Sequence, residues 1–327
     1  FGFVVQSGNK LQIQSEFLND DAYPRNVRAS IAYANEVLRG GHGVQAFTGA
    51  LPVLVDAEGN ANKAAFAQLT PEAYGSALQL GIEKGLIVAD GARTFAATGM
   101  GGKGLYSFGQ FVNADATLRG QAATGASRAH IGSHGFFGGI GYGLEDGTRL
   151  GLFIGGLDSD QSLRDLGAKT QGSSLMAGAY ADIRLEGLGL HGLLAYDTGT
   201  VGTKRAIAAS NAIARSRYGL SSWVVDLSAD YQARFGAMAI TPKLGVTYVR
   251  AGREAIGSEQ GAGDFGLSVS GGSKASWFGD ASLALSGDFD LGGILVHPYA
   301  QAGVRRMLNN GATRVSAGRA AALRAGR

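Results

Sequence analysis

The sequence has no cysteine and no long apolar segment. The absence of cysteine is compatible with export through an oxidising periplasm, although many cytosolic domains also lack this residue. Nowhere do about 18 apolar residues follow one another, so a membrane-spanning helix is excluded. Any role in a membrane must therefore come from strands.

Charge is also scarce, since charged residues make up 17% of the chain and the net charge is +3. With 45% hydrophobic residues and a mean hydropathy of +0.04, the composition is not that of a disordered protein. Arginines near the end account for much of the basic isoelectric point, but they make a weak case for nucleic-acid binding, and we expect no nucleic-acid partner. They are Arg305, Arg306, Arg314, Arg319, Arg324 and Arg327.

No signal sequence follows the first residue, Phe1, which leads us to expect a fragment whose upstream part is missing. Glycine, in contrast, is abundant at 54 residues, roughly twice its share in an average globular protein. In a curved, closed sheet, glycine lets neighbouring strands bend and keeps interior positions small. Soluble β-sandwiches seldom need so much glycine.

Residues 216–250 alternate between apolar and polar side chains in two runs joined by a tight turn at Phe235 and Gly236. Period two indicates extended strands, because successive side chains of a strand point to opposite faces. The apolar face of the first run carries Trp223, Val225, Leu227, Ala229, Tyr231 and Ala233, and its polar face carries Ser222, Asp226, Ser228, Asp230, Gln232 and Arg234. A strand of this length with an apolar outer face and a charged inner face is typical of a barrel in lipid.

The same alternation predicts ten strands after about residue 104. They span 104–112, 129–144, 148–157, 173–185, 188–197, 219–234, 237–250, 263–272, 275–289 and 294–306. Short turns follow residues 144, 185 and 234, whereas long polar links are expected after 157, 197 and 250. Short turns at one end and long loops at the other are typical of bacterial outer-membrane barrels, in which the turns are periplasmic.

The region before the strands has a helical period. Val27, Ile31, Ala34 and Leu38 form the stripe of an amphipathic helix, and a second apolar stretch spans 44–55. Thr70, Pro71 and Glu72 predict a further helix start: a capping hydroxyl, a proline in the first turn and an acid near the positive end. That helix is expected to stop near Gly85, with another helix over 86–95 leading into the glycines of 99–104.

Two segments match the GxGxxG pattern, at 99–104 and 187–192. Neither follows a strand and opens a helix within a βαβ unit, which a dinucleotide site requires. His130 and His134 lie on one face of a predicted strand, too far apart for a single metal ion. We therefore expect no cofactor and no metal.

Catalysis has no candidate residue in this sequence. No GxSxG nucleophile elbow occurs, and His42, His191 and His297 suggest no triad. The sequence does not predict an enzyme.

A helical linker, a helix entering a glycine-rich stretch and a barrel of long alternating strands together resemble the C-terminal translocator of autotransporters, the proteins of type V secretion. The pre-barrel helix of that family resembles residues 67–74 (AQLTPEAY). Further similar segments are 146–151 (DGTRLG), 287–293 (GDFDLGG) and 298–300 (PYA). The resemblance covers about residues 25–317.

The resemblance implies an all-β, antiparallel, up-and-down transmembrane barrel of twelve strands, with one linker helix in its pore. It implies export and anchoring of an N-terminal passenger at the surface of the outer membrane. The implied partners are outer-membrane lipid, the passenger and the outer-membrane barrel assembly machinery, and we expect a monomer. Only ten strands are predicted here, or eleven with 312–317, and the tail lacks the family's terminal aromatic residue, so we expect truncation at this end too.

The predicted domains are the end of the passenger at 1–24, the linker and pore helix at 25–103, the barrel at 104–317 and an irregular tail at 318–327. Charged residues expected to face the lumen are Asp182, Arg184, Asp226, Asp230, Arg234, Lys243, Asp280 and Asp288. Aromatic residues expected to face lipid are Trp223, Tyr231, Tyr248, Trp277 and Phe289. The charged set has two interpretations. It could be a lining that pairs with the linker helix or lets an unfolded chain pass, or it could be the generic wet interior of a barrel.

Three alternatives stay open at this point. The chain could form another outer-membrane barrel, a porin or adhesin that uses its long loops for recognition. It could also be a secreted soluble β-protein. The linker helices could form a small helical domain packed under the barrel instead of a pore helix.

Overall fold

A hairpin and four helices precede the main sheet in this computed structural model. The structure describes residues 2–7, 9–40, 44–97, 103–287, 289–290, 295–296, 298–309, 313 and 315–319. The first elements are β1 (Gly2–Ser7), β2 (Lys10–Ser15), α1 (Arg25–Arg39), α2 (Val44–Leu54), α3 (Lys63–Gln68) and α4 (Glu72–Ala97).

The rest of the described chain is dominated by one curled antiparallel sheet. Its ten strands are β3 (Gly104–Leu118), β4 (Ala129–Gly143), β5 (Arg149–Leu163), β6 (Ala168–Leu185), β7 (Leu188–Ile207), β8 (Ala212–Tyr231), β9 (Ala233–Phe235), β10 (Met238–Arg253), β12 (Gly272–Gly287) and β15 (Tyr299–Met307). Two small two-stranded sheets pair β11 (Leu267–Val269) with β16 (Ala317–Arg319) and β13 (Phe289–Asp290) with β14 (Leu295–Val296). Three 3₁₀ turns span Arg164–Leu166, Ala208–Ser210 and Gly263–Phe265.

The strands of the curled sheet are paired in the up-and-down order predicted from the sequence. The order is β15, β12, β10, β8, β7, β6, β5, β4 and β3, and the short β9 pairs with β10. Within the described ranges β3 and β15 do not pair with each other, so the sheet is a half-barrel. Its concave side holds α4, which contacts every long strand from β3 to β12.

The strands are longer than predicted at the end of the sheet away from the short turns. The long links expected after 157 and 197 are wrong, because β5 and β7 continue to Leu163 and Ile207 and return through 3₁₀ turns. In these extensions the outward positions carry polar side chains such as Gln171 and Thr200. The apolar half of the alternation is therefore missing, while the backbone pairing continues.

The strand predicted over 263–272 is also wrong. This segment contains a 3₁₀ turn and the short β11, which pairs with β16 and not with the curled sheet. Its apolar residues Phe265 and Leu267 are buried because the link folds back over the end of the sheet. The remaining nine predicted strands lie in the curled sheet. The possible eleventh strand at 312–317 does not join it: of its described residues, 313 and 315–317, only Ala317 lies in a strand, the short β16.

The turn between β4 and β5 has the hairpin chemistry expected from its sequence. Gly147 adopts φ +84°, which a side chain would disfavour. The backbone N–H of Thr148 donates to Asp146 Oδ1 at 2.9 Å, and this hydrogen bond lowers the pKa of the Asp146 carboxyl.

The helix predicted from the stripe at 27–38 is confirmed as α1, and the second apolar stretch, 44–55, is helical over Val44–Leu54. The break predicted near Gly85 is wrong. α4 runs unbroken for 26 residues, about 39 Å at 1.5 Å per residue. The predicted cap Thr70 instead donates its hydroxyl to the Ala67 carbonyl at 2.7 Å. The glycine at 85 marks close packing, described below, and not a stop.

The described residues between 16 and 70, here called the cap, pack on the end of the sheet that carries the long link. Asn35 of α1 holds the segment that precedes the helix. Its side chain accepts from the N–H of Phe17 and donates to the carbonyl of Phe17, both at 2.8 Å. The rings of Phe17 and Phe66 lie 5.0 Å apart edge to face, and those of Phe47 and Phe265 lie 5.5 Å apart. The cap thereby covers the mouth from which α4 enters the half-barrel.

Candidate functional site

The concave side of the sheet, occupied by α4, is the candidate functional site. One face of α4 is apolar, and Leu78, Ile82 and Leu86 pack there against the wall. The wall contributes Phe137, Phe153, Met176, Val224, Val249 and Phe278, among others. Inward positions on the strands are thus partly apolar where the helix touches them and polar elsewhere.

Glycines let α4 approach this wall closely. A Cβ atom at Gly85 would lie 2.5 Å from Val249 Cγ1 and 3.1 Å from Val224 Cγ2. At Gly91 it would lie 2.3 Å from the ring of Phe137. Real carbon atoms do not approach so closely, so the helix can occupy this position only because both residues lack a side chain.

We predict that Gly85→Val lowers the free energy of unfolding by about 1–3 kcal/mol through overpacking. Urea unfolding in detergent, followed by the mobility difference between folded and unfolded protein on gels, measures the change. Val249→Ala in the same chain should restore part of the loss. The control is Gly49→Val on α2, where nothing lies within 4 Å of the added Cβ; an equal loss there would contradict the close-packing argument.

Two basic side chains of α4 are held by acids of the wall. Lys84 Nζ lies 2.7 Å from Asp197 Oδ2 on β7, and both side chains are at most 3% exposed. Arg93 Nη2 lies 2.6 Å from Asp226 Oδ2 on β8, and its Nη1 lies 2.7 Å from Asp280 Oδ1 on β12. The helix is therefore connected to three strands by charge.

All three nitrogens of the Arg93 guanidinium contact the wall. Its Nε donates to Asp226 Oδ1 at 2.9 Å, and its Nη2 also donates to Thr247 Oγ1 at 3.2 Å. The Thr247 hydroxyl in turn donates to Asp226 Oδ2 at 2.7 Å. A bidentate arrangement of this kind fixes the rotation of the helix as well as its depth.

The first turn of α4 is clamped by a second polar network. The Tyr74 hydroxyl donates to Glu259 Oε1 and accepts from Ser216 Oγ at 3.1 Å. Arg205 Nε donates to the same carboxylate at 3.0 Å, and its Nη1 donates to the carbonyl of Gln68 just before the helix. This clamp joins the cap, the helix and the link after β10.

Further contacts run along the exposed side of α4, facing β12 and β15. Arg305 Nη1 donates to Asp90 Oδ2 at 2.9 Å. Lys274 Nζ donates to Gln79 Oε1 at 3.0 Å. Together with the contacts above, they connect α4 by charge or hydrogen bonds to every long strand from β7 to β15.

Of the charged residues predicted to line the lumen, Asp226 and Asp280 contact the helix. Asp182 and Asp230 are buried on the same concave face and bind opposite nitrogens of His191, with Nδ1 lying 2.7 Å from Asp182. Arg184 Nη1 donates to Asp230 at 3.0 Å. This cluster lies near the short-turn end and makes no described contact with α4.

The remaining members of the predicted lumen set are placed differently. Lys243 is partly buried, opposite Asp230 in the register. Arg234 is exposed beside the turn, with Nε 3.4 Å from Gln232 Oε1. Asp288 lies outside the described residues.

Sequence reasoning missed Lys84 and Arg93, the helix partners of the wall. Each is a basic residue in a helix otherwise rich in small and apolar residues, and that contrast was the available signal. It also missed Asp197, Arg205 and Glu259. The last two lie 54 positions apart, so only the fold brings them together.

Four of the five predicted lipid-facing aromatics, all except Phe289, lie on the convex side of the sheet. Trp223 stacks on Tyr196, and Trp277 on Tyr248, each pair with ring centroids 4.7 Å apart. Tyr231 is exposed on the same face of β8. Phe289, in β13, is exposed outside the curled sheet.

Large apolar side chains cover this convex face, most of them between the aromatic pairs and the short turns. Exposed examples are Leu150, Leu152, Ile154, Leu175, Leu194, Leu227, Leu244 and Leu283. His130 and His134 also lie on this side, exposed, and the described residues contain no group of side chains suited to a metal. None of the described helices combines the length and hydropathy needed to cross a bilayer.

Comparison with known proteins gives one family and several similar folds. A family model described as Autotransporter beta-domain matches residues 108–326. The solved translocator domain of the autotransporter NalP from Neisseria meningitidis has a TM-score of 0.60 and 19% identity, over 72% of this chain and 82% of that one. The beta domain of the Bordetella autotransporter BrkA has a TM-score of 0.48 and 16% identity, over 63% and 80% of the two chains. Comparison with curated proteins finds no match.

Proposed function

Because this chain belongs to the autotransporter β-domain family, we propose that it anchors an N-terminal passenger in the bacterial outer membrane and exports it to the cell surface. Members of this family are outer-membrane translocators and not enzymes. The observation that carries the proposal is α4, which lies inside the half-barrel. Its two basic residues, the buried Lys84 and the mostly buried Arg93, both pair with acids of the wall. A helix fitted in this way is a physical link between a domain upstream and the barrel.

The direction of α4 supports export outward. Its first turn lies at the end of the sheet with the cap and the long link, and its last turn lies toward the short turns. Short turns of such barrels are periplasmic. This direction supports a location outside the cell for the part of the protein that precedes residue 72.

The domain boundaries belong to the same proposal. Residues 1–24 end the passenger, 25–103 form the linker and pore helix, 104–317 form the barrel and 318–327 form the tail. Insertion depends on the outer-membrane barrel assembly machinery, and the translocator acts as a monomer. The porin or adhesin alternative has lost its main sequence support, since the long links expected after 157 and 197 are strands.

A reporter fusion tests export. The chain is placed behind a signal peptide and an epitope-tagged passenger, and intact cells are treated with external protease. We expect the epitope to be degraded while a periplasmic marker stays intact. Removal of 72–97 from the same fusion should leave the epitope protected, and an epitope protected in the complete fusion with a folded barrel would overturn the proposal.

A cysteine pair tests which face meets lipid. The chain has no cysteine, so Leu152→Cys, at a site 61% exposed, and Phe153→Cys, at its 6% exposed neighbour, each carry one thiol. In vesicles we expect the first thiol to react with a membrane-soluble maleimide and not with a membrane-impermeant one. The second should react slowly with both reagents. Rapid labelling of the Leu152→Cys thiol by the impermeant reagent would show that the convex face is in contact with water, which would contradict the proposal.

A further inference from the structure

Three basic residues form a continuous row across the convex face of the sheet. In the register, Lys169 of β6 lies directly opposite Lys204 of β7, and Lys204 lies directly opposite Arg215 of β8. All three are exposed and point outward, as does Arg217 two positions further along β8. We call Lys169, Lys204 and Arg215 the cationic row.

The row is an unfavourable arrangement for an isolated barrel. Like charges directly opposite each other on one face of a sheet repel and destabilise it. Lys169 has one weak counter-charge, Asp160 Oδ2 at 3.8 Å. In the described parts of the chain no carboxylate comes within ion-pairing distance of Lys204 or Arg215. An anion from outside the chain would remove this repulsion.

The distance of the cationic row from the apolar part of the convex face indicates which kind of anion binds it. The last aromatic residue of the convex face of β7 is Tyr196, eight positions before Lys204. At about 3.3 Å per residue and a tilt near 40°, Lys204 stands roughly 20 Å beyond Tyr196, and Lys169 stands roughly 15 Å beyond Leu175, the last exposed apolar residue of β6 on this side. Phosphates of simple phospholipid headgroups lie at the membrane surface and do not reach so far. Charged sugars built outward from a lipid do reach this height.

From this geometry we propose that the cationic row binds the phosphate and carboxylate groups on the core sugars of lipopolysaccharide, the glycolipid of the outer leaflet. The inference rests on the proposed function for the location and orientation of the barrel. Thr198 and Thr200 lie outward on β7 between the row and Tyr196, and they offer hydroxyl groups to sugars along the way. The pairing also gives the extended strands a role: they carry the row above the membrane surface.

Binding in detergent tests the proposal on the full chain. Purified lipopolysaccharide with a complete phosphorylated core is titrated against three proteins, and the affinity is measured by native gel shift. The proteins are the wild type, the triple variant Lys169→Ser, Lys204→Ser, Arg215→Ser, and a control with the same charge change, Arg25→Ser, Lys63→Ser, Lys103→Ser. Insertion of the wild type into lipid vesicles reports separately on the proposed function.

We expect the row variant to bind about 100-fold more weakly than the wild type, and the control to bind like the wild type. A glycolipid without core sugars should bind the wild type only weakly. Its affinity should equal that of complete lipopolysaccharide for the row variant. Without lipopolysaccharide, the row variant should unfold at a higher temperature than the wild type, because the repulsion is gone.

Equal affinity of the row variant and the wild type would overturn the proposal. Equal binding of the glycolipid without core sugars would move the contact to phosphates at the membrane surface and equally overturn it. Competition by soluble polyphosphate as strong as that by lipopolysaccharide would show a general polyanion site and not a lipid site.

Discussion

Replacing Arg93 by methionine is expected to lower the free energy of unfolding by about 3–5 kcal/mol, since it leaves buried charge without a partner. Asp226 and Asp280 both pair with this guanidinium, and their side chains are only 3% and 10% exposed. No other described cation lies within ion-pairing distance of either carboxylate, and Lys243 attracts both only from farther away. Urea unfolding of the detergent-solubilised protein measures the loss.

The controls separate charge from packing. Arg93→Met combined with Asp226→Asn and Asp280→Asn removes the uncompensated charges, and most of the stability should return. Arg93→Lys keeps the charge but not the fork, so an intermediate loss is expected. If Arg93→Met alone unfolds at the same urea concentration as the wild type, the charge pairing does not hold the helix.

The same variant should free the helix before the barrel unfolds. Limited proteolysis of the folded Arg93→Met protein is expected to cut within 72–97, while the wild type stays intact there. Protection of this segment in both proteins would show that the cap and the apolar contacts suffice to keep α4 in place.

Replacing Lys84 by methionine is expected to have an effect of similar size, about 3–5 kcal/mol. Asp197 is 1% exposed, and apart from the contact with Lys84 its carboxylate oxygens have no hydrogen-bond partner among the described groups. The ion pair with Lys84 is therefore the main interaction that offsets the cost of burying the Asp197 charge. Removing the lysine leaves a buried charge that water cannot reach.

A double-mutant cycle gives the decisive comparison. Lys84→Met with Asp197→Leu replaces the pair by apolar side chains of similar volume, which is often neutral or stabilising. We expect this double variant to be at least as stable as the wild type and far more stable than Lys84→Met. Additive losses would mean that the two residues act independently, against the 2.7 Å contact.

The sheet was predictable because its signal is local. On β8, Trp223, Val225 and Leu227 are exposed, while Asp226 and Ser228 are buried, as period-two alternation requires. The same signal failed beyond residues 157 and 197. There both faces are largely polar, so the strands continue without the contrast that marks a strand in lipid.

The helices before the sheet show what a local sequence pattern cannot predict. A glycine such as Gly85 predicts a helix stop when only neighbours in sequence are considered. In the structure that glycine faces Val249, 164 positions away by the numbering, and close packing is its reason. Long-range contacts of this kind leave no local pattern.

The sequence by itself determined the antiparallel sheet with one apolar face, the lead-in helices and the family resemblance, because each depends on periodicity or on short ordered motifs. Only the tertiary structure decided that α4 is one unbroken helix inside the half-barrel, that Lys84 and Arg93 are its charged contacts, and that the cationic row crosses three strands. Register and burial decide those features, and both arise from pairing between residues far apart in the chain.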